Sequence, residues 1–286
     1  MFKSKKQRKK TLIYEIWKRL KRNRMAVIGL ITMLLVIIIA ILAPLLIPYD
    51  YAAQNYEDTF VFPNTQHLFG TDNFGRDIFS RILYGSRYTL IIGIGFISVA
   101  SLVGIMLGSF AAYFNKVDNL IMRTIDVVMG IPNFMLAISI IVALGNNMKN
   151  MMIALIITSV PAFARVARAQ VLTIKEQEFI EAARSLGASD LRILVRHILP
   201  NAISPLIVQY TLGVGNVILY AASLSFIGLG IKAPTPEWGL MISEGRTYLR
   251  DYWYISIFPG LAIICTTYAL NMLGDGLRDA IDPRLK

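Results

Sequence analysis

Histidine and cysteine are scarce in this chain: His67, His197 and Cys265 are the only ones among 286 residues. A single cysteine forbids an internal disulfide. Neither histidine has Cys or carboxylate neighbours at metal-ligand spacing, so no metal centre and no Ser-His-Asp arrangement is expected. Charge is thin as well. Asp, Glu, Lys and Arg make up 16% of the chain, against roughly 25% in an ordinary soluble domain. With 55% hydrophobic residues and a mean hydropathy of +0.56, that shortage excludes both a typical soluble enzyme and a disordered chain. No G-x-x-x-x-G-K-[ST] occurs, so no phosphate-cradling loop is expected and no nucleotide cofactor is assigned.

What the chain does have is long uncharged runs. Residues 25–49, 88–115, 127–148, 150–164, 197–231 and 252–274 contain no Asp, Glu, Lys or Arg. A helix needs about 20 apolar residues to cross a bilayer core. Five runs meet that length. The fourth, 150–164, reaches only about 22 Å at 1.5 Å per residue and needs Lys149 and Arg165 to snorkel outward at its ends. The expected fold class is therefore all-α integral membrane with six transmembrane helices. The first run is too long for the core of a cleaved signal peptide and is read as a retained span.

Six spans put both termini on one side. With residues 1–24 assigned to the cytosol, the inside segments (1–24, 115–126, 165–200 and 275–286) hold 22 of the 29 Lys and Arg. That bias fits positive-inside insertion. It accounts for most of the net charge of +11 without invoking nucleic acid. The run Lys3–Lys10 is read as a solvated tail near anionic lipid head groups. The domain reading follows: a basic cytosolic tail (1–24), a first span (25–49), an extracytoplasmic loop with an interfacial helix (50–87), a core of five spans (88–274) that includes a cytosolic loop (165–200), and a cytosolic C-terminal tail (275–286).

The span interiors carry no ionisable residue, which argues against proton relays and ion-coupled transport. No repeat relates two halves, as many secondary transporters show. Gly93 with Gly95, Gly213 with Gly215 and Gly228 with Gly230 are bare G-x-G pairs that signal helix packing or local flexibility. Gly104 and Gly108 form G-x-x-x-G, a spacing that permits close helix approach. Cys265 is read as a small core residue. Pro161, Pro205 and Pro259 are expected to bend their helices. The chain thus reads as a pore or scaffold whose driving energy enters through a partner.

The inside loop is the informative one. Residues 173–200 read TIKEQEFIEAARSLGASDLRILVRHILP. Thr173 and Glu176 fit a capping box. Phe179, Ala182, Ala183 and Leu186 form an apolar stripe at helical spacing. Gly187 suits the left-handed position after a helix. Ser189 and Asp190 suit the start of a second helix, with Leu191, Leu194, Val195 and Ile198 on one face. Pro200 is expected in or just before the first turn of the fifth span. The result is a helix–glycine–helix elbow. From its pattern alone it fits a helix lying on the membrane surface as well as a dock for a partner.

Glu181-Ala182-Ala183, three residues, Gly187, nine residues, His197, one residue and Leu199-Pro200 resemble the EAA motif of the permease subunits of ATP-binding cassette (ABC) importers. His197 stands where that pattern has Ile. Arg196-His197-Ile198-Leu199-Pro200-Asn201 resembles the peptide branch. Phe69-Gly70-Thr71-Asp72, Gly75-Arg76-Asp77 and Ser80-Arg81 resemble a second stretch of these subunits. Residues 224–230, followed by Pro234-Thr235-Pro236, Trp238-Gly239 and Glu244-Gly245-Arg246, resemble a third. The N-terminal region looks like that of the C-type subunit of oligopeptide, dipeptide and nickel importers.

This resemblance implies the type I ABC importer permease fold and a non-catalytic membrane subunit in a bacterial plasma membrane. It implies four kinds of partner: a second homologous permease, two cytosolic ATPases that bind ATP, an extracytoplasmic solute-binding protein, and lipid. It also implies that Glu181, Ala182, Ala183, Arg184, Leu186 and Gly187 couple the chain to an ATPase. Di- or oligopeptides are the implied solute, with nickel or another small solute as the alternative. Gly70, Asp72, Gly75, Arg76, Asp77 and Arg81 form an extracytoplasmic motif with two open readings. One is a solvated interfacial helix held by its own ion pairs. The other is a surface that faces the binding protein or the translocation mouth.

Overall fold

The computed structural model describes residue 14 and residues 16–281. The run Lys3–Lys10 and residues 282–286 lie outside the described residues. From Arg24 onward the helices among the described residues are, in order, α1 Arg24–Leu46, α2 Ile78–Tyr113, α3 Asn115–Met129, α4 Asn133–Leu144, α5 Met148–Lys175, α6 Glu178–Ser185, α7 Asp190–Phe226, α8 Trp238–Gly245 and α9 Tyr254–Ile281. Among the described residues the β structure is a single isolated bridge between Thr71 and Asp77.

Five of these helices (α1, α2, α5, α7 and α9) are long and apolar enough to cross a membrane, and the bent pair α3–α4 makes six if counted as one span. The third expected span is therefore not a continuous rod. It breaks by 89° between Met129 and Asn133. The intervening residues explain the break: Pro132 has no N–H to donate, and it disfavours helical backbone at Ile131 before it. The fourth span departs in the opposite sense. Its 15 uncharged residues lie inside a 28-residue helix, α5, which begins on the Asn147 side-chain cap and continues through Arg165 and Arg168 to Lys175. Its length is about 42 Å, so no snorkelling is needed to bridge a gap.

Small residues set the packing. A Cβ on Gly104 would lie 2.6 Å from the Val160 carbonyl oxygen, and one on Gly108 would collide with the Ala164 backbone. The G-x-x-x-G spacing thus brings α2 flush against α5. In the same way Gly29 of α1 meets the Ala269 carbonyl of α9, and Gly93 meets Ile218 of α7. Gly93 and Gly95 lie in a six-residue π segment, Ile91–Phe96, within α2. Such a segment widens one turn of a helix. Cys265, expected in the core, is exposed on α9.

The long helices run between two ends. Residues 47–77, 145–147 and 227–253 gather at one end, tied by Arg81 to the Tyr51 and Pro234 carbonyls and by Asn146 to the Gly228 carbonyl. Residues 114 and 176–189 gather at the other, tied by Tyr113 to Asp190. These are called the loop end and the elbow end. Large apolar side chains remain exposed along α1, including Ile28, Ile31, Leu35, Ile38 and Leu45, as a lipid-facing helix requires.

Candidate functional site

The elbow is built from one buried side chain and one glycine. In α6 Ile180 is fully buried, and it packs with Val171, Ile174, Ile193, Leu194 and Ile198 in a separate core at the elbow end. The apolar stripe inferred for this helix is therefore misplaced. Phe179 and Ala182 are exposed, Ala183 is half-buried, and Leu186 is 88% exposed. Periodicity alone does not say which stripe turns inward, and the β-branched Ile180 takes that side. Glu178 and Glu181 occupy the first turn, where they complement the helix dipole.

The expected capping box does not form. Thr173 lies within α5, its hydroxyl donating to the Ala169 carbonyl, and α6 starts after Gln177. The end of α6 is as anticipated. Gly187 has φ +78°, the Ala188 N–H donates to the Ala183 carbonyl at 3.1 Å, and the Gly187 N–H donates to the Arg184 carbonyl at 2.9 Å. This pair of bonds is a Schellman motif. A Cβ on Gly187 would meet nothing within 4 Å, so the demand for glycine is conformational rather than steric. Glu181, Ala182, Arg184, Leu186 and Gly187 are all exposed around this turn.

The second arm also turns a different face inward. Ile193, Leu194 and Ile198 are buried while Leu191 and Val195 are exposed. Ser189 makes no side-chain cap. Instead the Asp190 carboxylate accepts a 2.6 Å hydrogen bond from the Tyr113 hydroxyl at the end of α2. Lys175 Nζ donates to the Tyr113 carbonyl at 3.0 Å and lies over the Tyr113 ring. Arg168 on α5 grips Asp118 on α3 through two bonds of 2.8 and 2.6 Å, and Arg165 reaches Asp126 at 2.7 Å. The elbow is thereby fastened to α2, α5 and α7, and α3 is fastened to α5.

The loop end holds a second cluster of charges. Residues 70–77 form a tight loop rather than a helix, with Gly70 and Gly75 at φ +77° and +69°. Helix α2 starts only after Asp77, whose carboxylate caps Ser80 N–H at 2.7 Å and meets His67 Nδ1 at 2.9 Å. Arg76 Nε bonds Asp72 at 2.6 Å, and its terminal nitrogen bonds Glu244 at 2.9 Å. Arg81 reaches the same Glu244 oxygen at 3.2 Å. Both arginines are only 1% exposed. The reading as a solvated interfacial helix is therefore incorrect. The charges do pair with one another, but in a dry knot: two arginines share Asp72 and a carboxylate more than 160 residues away, which neutralises charge that burial would otherwise penalise heavily. Glu244 stands in the third family-like stretch, but nothing local pairs it with Arg76 and Arg81, which are distant in sequence.

Next to the knot, Glu237 is 1% exposed and caps α8, accepting from the Gly239 and Leu240 N–H groups at 2.8 and 2.9 Å. Burial pushes its carboxyl above the usual carboxylate range, and those two hydrogen bonds pull partly the other way. Among the described residues no group of three or more His, Cys, Asp or Glu could hold a metal ion.

Comparison with known proteins agrees with this architecture. Residues 104–286 match the family described as binding-protein-dependent transport system inner membrane component. Residues 11–64 match the N-terminal TM domain of oligopeptide transport permease C. The chain is 45% identical over 273 residues to the dipeptide transport system permease protein DppC of Alkalihalophilus pseudofirmus, covering 95% of this chain and 90% of that protein. It is 45% identical to the glutathione transport system permease protein GsiD of Escherichia coli, covering 96% and 91%. Its fold matches a chain of the inward-facing MetNI methionine ABC transporter with a TM-score of 0.58 at 19% identity, over 71% of this chain and 97% of that one. The chain belongs to the binding-protein-dependent transport system inner membrane component family, as a multi-pass permease of an ABC importer.

Proposed function

We propose that this chain forms, with a second permease, the membrane path of an importer for short peptides, and that two ATPase subunits drive it by pushing on the elbow. The observation that carries this reading is the turn at Leu186-Gly187. Leu186 is 88% exposed at the tip, while Ile180 anchors the same short helix in a core beneath. An apolar side chain held outward on a rigid base is suited to fill a socket in a partner. Glu181 and Arg184 beside it can make charge-assisted hydrogen bonds there.

The connections make the elbow a lever. Helix α6 continues directly from α5 through residues 176–177 and into α7 through residues 186–189, and Tyr113 ties it to α2. Displacing the tip therefore moves three long helices together. In this reading both termini and the elbow are cytosolic, the loop end faces a solute-binding protein, and ATP is hydrolysed by the partners alone. The dipeptide and glutathione permeases among its relatives favour short peptides over nickel.

The test is uptake of a labelled dipeptide by cells that lack the native subunit and express the chain with its second permease, ATPases and binding protein. Gly187→Val inserts and assembles but loses uptake, because a β-branched residue resists φ > 0. Wild-type uptake by that variant, or ATP hydrolysis by this chain alone, would refute the proposal.

A further inference from the structure

Helices α7 and α9 lie side by side, and each exposes polar side chains deep within its length. Asn216 on α7 is exposed ten residues before Phe226; Asn271 on α9 is exposed ten residues before Ile281. Asn216 is therefore about 15 Å from the nearer end of α7, and Asn271 falls within the uncharged run 252–274. Neither side chain has a hydrogen-bond partner among the described residues. Asn271 lies against the α7 backbone beside Asn216: a Cβ on Gly215 would be 3.5 Å from Asn271 Oδ1. Tyr268, one turn from Asn271, is 57% exposed. Asp275 continues the same face, also exposed.

Towards the loop end this face opens into a recess of about 400 Å³ between the same two helices, lined by Leu219, Ser223 and Phe226 of α7 and by Gly260, Ile263 and Ile264 of α9, with Phe134 of α4 at its edge. The contrast with α1 is sharp, since from Met25 to Leu46 its exposed side chains are all apolar. An unpaired amide facing hydrocarbon costs several kcal/mol. Two amides and a phenol aligned on one face are incompatible with lipid there.

We infer that the α7–α9 face, marked by Asn216, Tyr268 and Asn271, is this chain's wall of a hydrated path, and that its two amides hydrogen-bond the peptide groups of a solute in transit. Each Asn offers an N–H donor and a carbonyl acceptor, the complement of a peptide bond. The recess would receive an apolar side chain of the solute. This inference deepens the permease reading and rests on it.

Cysteine accessibility in the assembled transporter tests it. In a Cys265→Ser background, Asn216→Cys, Tyr268→Cys and Asn271→Cys are treated with a membrane-impermeant, water-soluble maleimide, with Leu35→Cys of α1 as the lipid-facing reference. A thiol reacts as its thiolate, and apolar surroundings raise its pKa; each unit of that rise slows labelling tenfold. The inference predicts labelling at least about tenfold faster on both α7 and α9 than at Leu35→Cys. A second arm replaces both asparagines. Asn216→Leu with Asn271→Leu lowers dipeptide uptake about tenfold, the effect of one or two lost hydrogen bonds, whereas the matching Gln pair restores it.

Labelling no faster than at Leu35→Cys would overturn the assignment. So would fast labelling in the isolated chain that vanishes on assembly, which would make the face a dry subunit interface. Undiminished uptake by the Leu pair would overturn the solute contact. In each case ATP-driven uptake by the Cys265→Ser parent, if retained, leaves the permease reading standing.

Discussion

Glu244 illustrates how much depends on single carboxylates in a nearly uncharged protein. It is the shared counter-ion of Arg76 and Arg81, both fully buried. Removing its charge leaves Asp72 alone against two guanidiniums. Breaking a buried pair from one side costs about 3–5 kcal/mol, so Glu244→Gln should lower the thermal midpoint of the purified protein markedly. Adding Arg81→Gln should recover part of the loss, because it restores charge balance; no recovery would show that the pairing is unimportant. Glu237 gives a pH signature. Its carboxyl titrates above the ordinary value of 4.5 in the folded chain. The native state therefore gains from the neutral form below that ordinary value and loses this advantage as pH rises through the higher folded value. Thermal melts against pH should show the wild type losing ground to Glu237→Gln across that interval; parallel curves would contradict the shift. At this scale the sequence was legible where a residue answers to its own backbone, as Gly187 does. It was opaque where the partner is remote, as for Glu244, or where several apolar neighbours compete for the inner face, as Ile180 does with Phe179 and Leu186.

Helices were legible as far as hydrophobic length and charge could define them. Gly104 and Gly108 mark a stripe open to close approach, because a four-residue spacing puts two missing side chains on one side; that α5 is the helix packed there is known only from the fold. Gly108→Val should therefore separate these helices and destabilise the bundle by about 1–3 kcal/mol or more, as overpacking does. Gly95→Ala, whose Cβ would meet open space, should be neutral in the same melt. Equal effects would discount the packing role. Two elements were misjudged for related reasons. An uncharged run marks the apolar part of a helix, not its ends, so α5 extends well past Arg165 once Arg165 and Arg168 find Asp126 and Asp118. The same criterion passes over the Gly130-Ile131-Pro132 break, since none of those residues is charged. The alternating charges Asp72, Arg76, Asp77 and Arg81 leave the stretch 69–81 open to a helical reading, which holds only from Ile78 onward. In the tight loop at 70–77, two glycines with positive φ and cross-chain ion pairs dictate otherwise.

For the whole molecule, the fold places a rigid charged knot at one end, an exposed elbow at the other, and long helices joining them. That arrangement suits a chain with no nucleotide-binding loop of its own: in the proposed reading, motion supplied at the elbow would pass through α2, α5 and α7 toward the loop end. The central claim is that an ATPase holds the elbow tip. Its most direct test is cross-linking of Leu186→Cys, in the Cys265→Ser background, within the transporter assembled with its ATPases. The account predicts a thiol cross-link from residue 186 to the ATPase subunit, with a yield that changes between ATP-free and ATP-bound states. A residue 186 that forms no such link in either state, and that is labelled only by lipid-soluble reagents, would contradict it.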